Sequence, residues 1–157
     1  MSRTAARETV ARLLYQWAMN GGTWQDALLY TLDDESEKLD KHDMEYVERM
    51  MTRIPEHMAE LDETIAGVSQ RWRIERMGKM DLSILRLAVY EMCDCDDIPV
   101  SVSINEAVEL AKRYCGDETP TFVNGMLSTL AKRLENGETQ TADAAQSDEH
   151  AAEEPAQ

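Results

Sequence analysis

Three features of this chain predict an all-α fold. Apolar residues recur every three or four positions through most of its length. Cap residues, glycines and prolines punctuate those runs at intervals suited to helices. No segment alternates apolar and polar residues long enough to make a strand. The pattern yields about seven helices in two packed helical subdomains.

The first helix is expected from about Arg3 to Met19. Ala6, Val10, Leu13, Leu14 and Trp17 form its buried stripe, and Asn20-Gly21-Gly22 stops it. Thr23 caps a second helix that turns Trp24, Ala27, Leu28 and Thr31-Leu32 inward. A third starts near Lys41 and buries Tyr46, Val47 and Met50. Pro55 either bends or divides it before Met58, Leu61, Ile65 and Val68 resume the pattern. Residues 69–79 (SQRWRIERMGK) hold a short helical turn and a glycine, and read as a hinge. Asp81 is placed to cap the next helix. From Leu82 to Cys93 that helix is apolar on nearly every side, apart from Ser83, Arg86 and Glu91, so it belongs at the centre of the core.

The last two helices lie between Ser103 and Leu130. Ser103 and Glu106 have the spacing of a capping box, and Ile104, Ala107, Val108 and Ala111 share one face. Gly116 is the expected left-handed stop. Thr119-Pro120 opens the final helix, and Val123, Met126, Leu127 and Leu130 form its apolar face. The helical body therefore spans residues 1–134, divided into subdomains 1–68 and 80–134 by the hinge. Residues 135–157 are acidic, lack periodicity and are expected to be a disordered tail.

Charge restricts the function. The net charge is −15. The tail carries seven acids and no Lys or Arg, which leaves 24 acids against 16 bases over residues 1–134, a net of −8. A second acidic block, residues 33–48, holds eight acids and two lysines. Positive charge collects at Arg3, Arg7 and Arg12, and again at Arg71, Arg73, Arg76, Lys79 and Arg86. Such a chain binds nucleic acid locally or not at all. Three cysteines, an odd number, do not make a disulfide framework, and the N-terminus lacks the apolar core of a signal peptide. A cytoplasmic location is expected. Cys93-x-Cys95 lacks the spacing and second ligand pair of a zinc site, and no histidine has the setting of a catalytic base. No metal, cofactor or catalysis is expected.

Arg3 and Arg7, with Thr4 between them, stand four residues apart and should share an exposed face. They serve either as a solubilising surface or as phosphate contacts, since a planar guanidinium and a helix N-terminus both favour that anion. On the second reading, loss of Arg7 should weaken RNA binding with little cost in stability. Phe122, the chain's one Phe, lies at the edge of an already complete apolar face. It is either core or a stacking platform for an unpaired base, flanked by Thr119 and Thr121. In Arg71-Trp72-Arg73, the Trp either plugs the joint between halves or stacks on nucleic acid.

The strings ARETVARLLYQW, MDLSILRLAVYEM, INEAVELAKRY and FVNGMLS occur in one collinear register over residues 3–134 and resemble the NusB family of transcription antitermination factors. The resemblance implies a small all-helical protein that binds short single-stranded boxA-like RNA together with the ribosomal protein NusE. It implies RNA contact by Arg3, Thr4, Arg7, Thr119 and Phe122. It places partner contact at Glu75, Arg76, Asp81 and Leu82. Members of the family often carry several consecutive arginines where this chain has Arg3-Thr4-Ala5-Ala6-Arg7, which implies fewer phosphate contacts here and more dependence on the partner. Glu118 matches an acidic family position and would oppose RNA. An RNA methyltransferase with a NusB-like N-terminal domain would need a following cofactor-binding α/β domain, so an enzyme is not expected. The alternative is an acidic helical protein-interaction module without RNA affinity.

Overall fold

A computed structural model describes residues 3–35, 39–69 and 73–137. The expectations for Arg71, Trp72 and most of the acidic tail fall outside them. Among the described residues there are seven α-helices and one 3-10 turn, and no strand. In order they are α1 (Thr4–Asn20), α2 (Trp24–Glu35), α3 (Lys41–Glu56), α4 (Met58–Val68), the turn Ile74–Arg76, α5 (Lys79–Asp94), α6 (Val100–Tyr114) and α7 (Thr119–Glu135).

Local chemistry sets most of these boundaries. Gly21 and Gly22 both take positive φ and end α1, a conformation that L side chains rarely adopt. The Thr23 hydroxyl accepts from the Asp26 N–H at the start of α2, and the Asp40 carboxylate accepts from the Asp43 N–H at the start of α3. Pro55 resolves as a division: α3 runs through it to Glu56 and α4 begins at Met58.

Three expected caps are placed differently. Helix α5 starts at Lys79 with Gly78 as its N-cap, so Asp81 sits within the first turn, where its charge still complements the helix's positive end. Helix α6 starts after Pro99, which puts Ser103 and Glu106 inside it rather than at its cap. Helix α7 starts at Thr119 behind Glu118, so Thr119 is its first helical residue. Gly116 is also not left-handed; the positive-φ glycines are Gly21, Gly22 and Gly137.

Helix α5 is the hub. Its residues Leu82 through Met92 are buried except for the half-buried Arg86. It packs against α1, α3, α4, α6 and α7. Most expected core residues of α1, α3, α4 and α7 are buried in one contiguous cluster with it, and Trp17, Trp24, Ala27, Leu28, Met58, Ile104 and Val108 lie half-buried against that cluster. Arg86 is not solvated. Its Nε and Nη2 donate to the two carboxylate oxygens of Asp62 at 2.8 and 2.9 Å, tying α5 to α4. Cys93, Cys95 and Cys115 are free thiols. Burial pushes Cys93 up to about 12 and Cys95 up to about 11.

Leu85 is fully buried on this hub. Leu85→Ala is expected to lower the unfolding free energy by about 2–5 kcal/mol, read by chemical denaturation, because the surrounding helices cannot all close on the space left. A loss under about 1 kcal/mol would place α5 at the edge of the core.

Candidate nucleic-acid interface

Glu91 of α5 is 1% exposed, and its carboxylate gathers donors from three other helices. Arg7 Nε of α1 donates to Oε2 at 2.8 Å, and the Tyr46 hydroxyl of α3 donates to the same oxygen. The Ser103 hydroxyl of α6 donates to Oε1 at 2.8 Å. An unpaired carboxylate at that depth would be strongly unfavourable, so the donors and the charge are mutually required. The network continues outward through Glu106 of α6. Its Oε1 accepts from Arg7 Nη1 at 3.4 Å and from the Thr4 hydroxyl at 2.7 Å. The guanidinium carbons of Arg3 and Arg7 lie 4.9 and 5.7 Å from the centre of the Tyr46 ring. Burial works against the charge of Arg7, but the bond to Glu91, helped by the charges of Glu91 and Glu106, raises its pKa overall. Burial and then Glu91 push the Tyr46 hydroxyl well up, which keeps it a donor.

This network corrects two expectations. Arg7 does not share an exposed face with Arg3: it is 5% exposed and bound inward, whereas Arg3 is half-buried over Tyr46. Ser103 and Glu106 do not cap each other. They face α5 and α1 respectively, so their spacing serves tertiary contacts.

Above the network opens a groove of 490 Å³, lined by Arg3, Thr4, Arg7, Pro99, Asn105 and Glu106 among others. It lies at the start of α6, whose first turn has no side-chain cap and no acid. The positive end of that helix therefore adds to Arg3. Asp97 and Glu106 on the same walls restrain the potential.

A second cleft, of 290 Å³, lies beyond the other end of α6. Phe122, Thr119, Glu118, Asp81, Arg76 and Met77 line it. Phe122 is half-buried: it packs on the core with part of its surface and faces the cleft with the rest, between its two sequence readings. Asp81 joins the start of α5 to α7, accepting from the Thr119 hydroxyl at 3.3 Å. Burial, with the Asp81 carboxylate as acceptor for its proton, pushes the Cys115 thiol up to about 12. Glu75 and Arg76 are exposed beside this cleft. Leu82, expected on the partner surface, is instead 8% exposed and part of the core.

The two clusters therefore do not merge into one pocket. They stand at opposite ends of α6, about 20 Å apart. Between them, Glu8 of α1 accepts from Arg113 and from the Tyr114 hydroxyl of α6. Sequence reasoning placed Tyr46 in the core and Glu91 on the central helix without giving either a part in the site, and it passed over Tyr114. For Glu91, the signal was an acid inside a helix apolar on every side. For Arg7, it was the spacing Arg7–Val10–Ala11–Leu14, which lies on the buried stripe.

The family model described as "NusB family" matches residues 4–132. The chain belongs to the NusB family. Transcription antitermination protein NusB of Clostridium botulinum (strain Kyoto / Type A2) is 44% identical over 142 residues, covering 83% of this chain and 99% of that protein. The protein of the same name from Acetivibrio thermocellus is 42% identical over 132 residues, covering 84% and 90%. Among solved structures, T. maritima NusB superimposes with a TM-score of 0.78 at 31% identity, covering 93% of this chain and 98% of that one. A chain in the crystal structure of antitermination factors NusB and NusE in complex with dsRNA matches at a TM-score of 0.75 and 27% identity, covering 83% and 96%. The NusB fold is thus shared across the helical body that carries both grooves. None of the helices described is long and apolar enough to cross a membrane.

Because Arg7 is bound into Glu91, Arg7→Ala is expected to cost about 3–5 kcal/mol of unfolding free energy by leaving a buried charge unpaired. Arg3→Ala, which removes a half-buried cation from an aromatic face, should cost about 1 kcal/mol or less. Urea denaturation of the two variants measures both. Equal losses would contradict the inward pairing of Arg7.

Proposed function

We propose that this chain is a transcription antitermination factor that binds a short single-stranded boxA-like RNA jointly with the ribosomal protein NusE, promoting ribosomal RNA transcription in the cytoplasm. Its action is binding alone, without catalysis. The observation that carries the reading is the pair of grooves flanking α6 on a NusB fold, one holding Arg3 and Arg7 and the other Phe122. The relatives' printed names supply the activity, and the NusB–NusE–dsRNA complex supplies the partners by likeness.

In this reading Arg3 holds a phosphate beside the start of α6, with Thr4 as a polar neighbour. Arg7 acts from the groove floor: its cation adds to the potential while Glu91 and Glu106 fix its position. Phe122 offers its cleft-facing surface to a base, and Thr119 a hydroxyl. NusE docks near the connection 69–79 and the start of α5, with Glu75, Arg76 and Asp81 as contacts and Leu82 supporting them from beneath. That connection divides the body into helical halves 1–68 and 80–134. Charge pairs on such a surface select a partner more than they add affinity.

A second reading, an acidic interaction module without RNA affinity, is favoured by the net charge of −15 and by the internal use of Arg7. Titration of boxA-like RNA with the full chain, with and without NusE and over a range of salt, separates the two. The antitermination reading expects binding with NusE present, falling with salt at a logarithmic slope of about −0.7 per phosphate neutralised, about −2 for three. Absence of RNA binding even with NusE would establish the module.

A further inference from the structure

Four large apolar side chains are exposed among those described, Met19, Leu29, Val102 and Tyr114, and of these Tyr114 alone is aromatic. It is the last residue of α6 and is 38% exposed. Its position is more informative than its exposure. Helices α1 and α6 lie alongside each other, joined by Thr4 to Glu106 near one end and by Glu8 to Arg113 and Tyr114 further along. Thr4 and Glu106 line the groove that holds Arg3. Two residues past Tyr114, Gly116 already lines the cleft that holds Phe122. Tyr114 therefore stands on the line between the two grooves.

Its surroundings suit a nucleic-acid strand. Lys112 and Arg113 precede it on α6, with side chains 59% and 56% exposed and paired with Glu109 and Glu8 respectively, and Arg12 of α1 lies close enough to act on the Tyr114 hydroxyl. The Glu8 carboxylate, which also takes Arg113, holds that hydroxyl. The ring is thereby fixed before any ligand arrives, which lowers the entropy lost on stacking. A rigid, half-open aromatic edged by cations is the usual platform for an unpaired base. An acidic partner protein would meet the same cations, but it would have no need of a ring placed between a phosphate-sized groove and a second aromatic.

We propose that Tyr114 is a third contact on this chain for single-stranded RNA, stacking a base between the Arg3–Thr4 groove and the Phe122 cleft. Glu8 is its positioning residue. The inference rests on the RNA-binding reading above and deepens it: the strand runs along the α1–α6 junction, and the two grooves bind successive parts of it.

The test is the affinity of the full chain, with NusE present, for boxA-like single-stranded RNA, measured for wild type, Tyr114→Ala, Tyr114→Leu and Tyr114→Phe. Circular dichroism and denaturation check the fold of each. Tyr114→Ala and Tyr114→Leu should each weaken RNA binding by about 5- to 150-fold, the range for loss of one stacked base. Tyr114→Phe keeps the ring but loses the bond to Glu8, so it should weaken RNA binding measurably but less than Tyr114→Ala or Tyr114→Leu. RNA carrying 5-iodouridine should photo-crosslink to Tyr114. Unchanged affinity of Tyr114→Ala beside a wild type that binds would overturn this contact and leave the antitermination reading standing. Weakened NusE binding by Tyr114→Ala without RNA, with RNA affinity intact, would overturn it in favour of a protein contact. Failure of the wild type to bind RNA would overturn the antitermination reading and this contact together.

Discussion

The Glu91 carboxylate is the constraint on which the rest of this molecule depends. It sits on the central helix at 1% exposure, and nothing in an apolar interior tolerates a bare negative charge. Arg7, Tyr46 and Ser103 satisfy it from α1, α3 and α6. Hydrophobic packing alone would bring those helices together at many nearly equivalent registers. Three directional bonds to one residue select a single register. The start of α1 is thereby held against the start of α6, and the groove containing Arg3 and Thr4 exists because those two ends meet.

The same network explains how so acidic a chain holds two arginines in fixed places beside one groove. Arg7 does not spend its charge on solvent, and Arg3 is held over the Tyr46 ring rather than left to sample many rotamers. Local positive potential then comes from few groups in fixed places, helped by an uncapped helix start. The acidic remainder repels nucleic acid that does not fit. Selectivity on this surface is a matter of geometry more than of net charge.

The fold was largely legible in the sequence, because helical spacing and punctuation are local properties. The stripes Ala6–Val10–Leu13–Leu14 and Val123–Met126–Leu127–Leu130 are buried as their spacing indicates, and α5 is central as its all-round apolarity requires. Helix starts were less legible. Ser103-x-x-Glu106 has the pattern of a cap, but Pro99 begins the helix earlier, and the true partners of the pair lie 12 and 102 residues away. No local rule contains those distances. The site was legible in part. Arg3, Thr4, Arg7, Thr119 and Phe122 do line grooves, but Arg7, like Leu82, is turned inward because it falls on the apolar side of its helix. Tyr114 escaped notice because a tyrosine ending a helix has no distinguishing pattern. Its significance arises only when α1 lies beside it.

The most direct test of the account is a double-mutant cycle on the pair at its centre, with Arg7→Met and Glu91→Gln measured singly and together by denaturant unfolding. Each single change leaves one buried charge without its partner, while the double change removes both charges, keeps an acceptor for one of Tyr46 and Ser103 and lets the other hydroxyl accept from the amide NH2. The account predicts that the double variant loses less stability than the two singles added, by about 2 kcal/mol or more. Losses that add to within about 0.5 kcal/mol would mean that Arg7 and Glu91 act independently, and that the α1–α6 groove is held by something else.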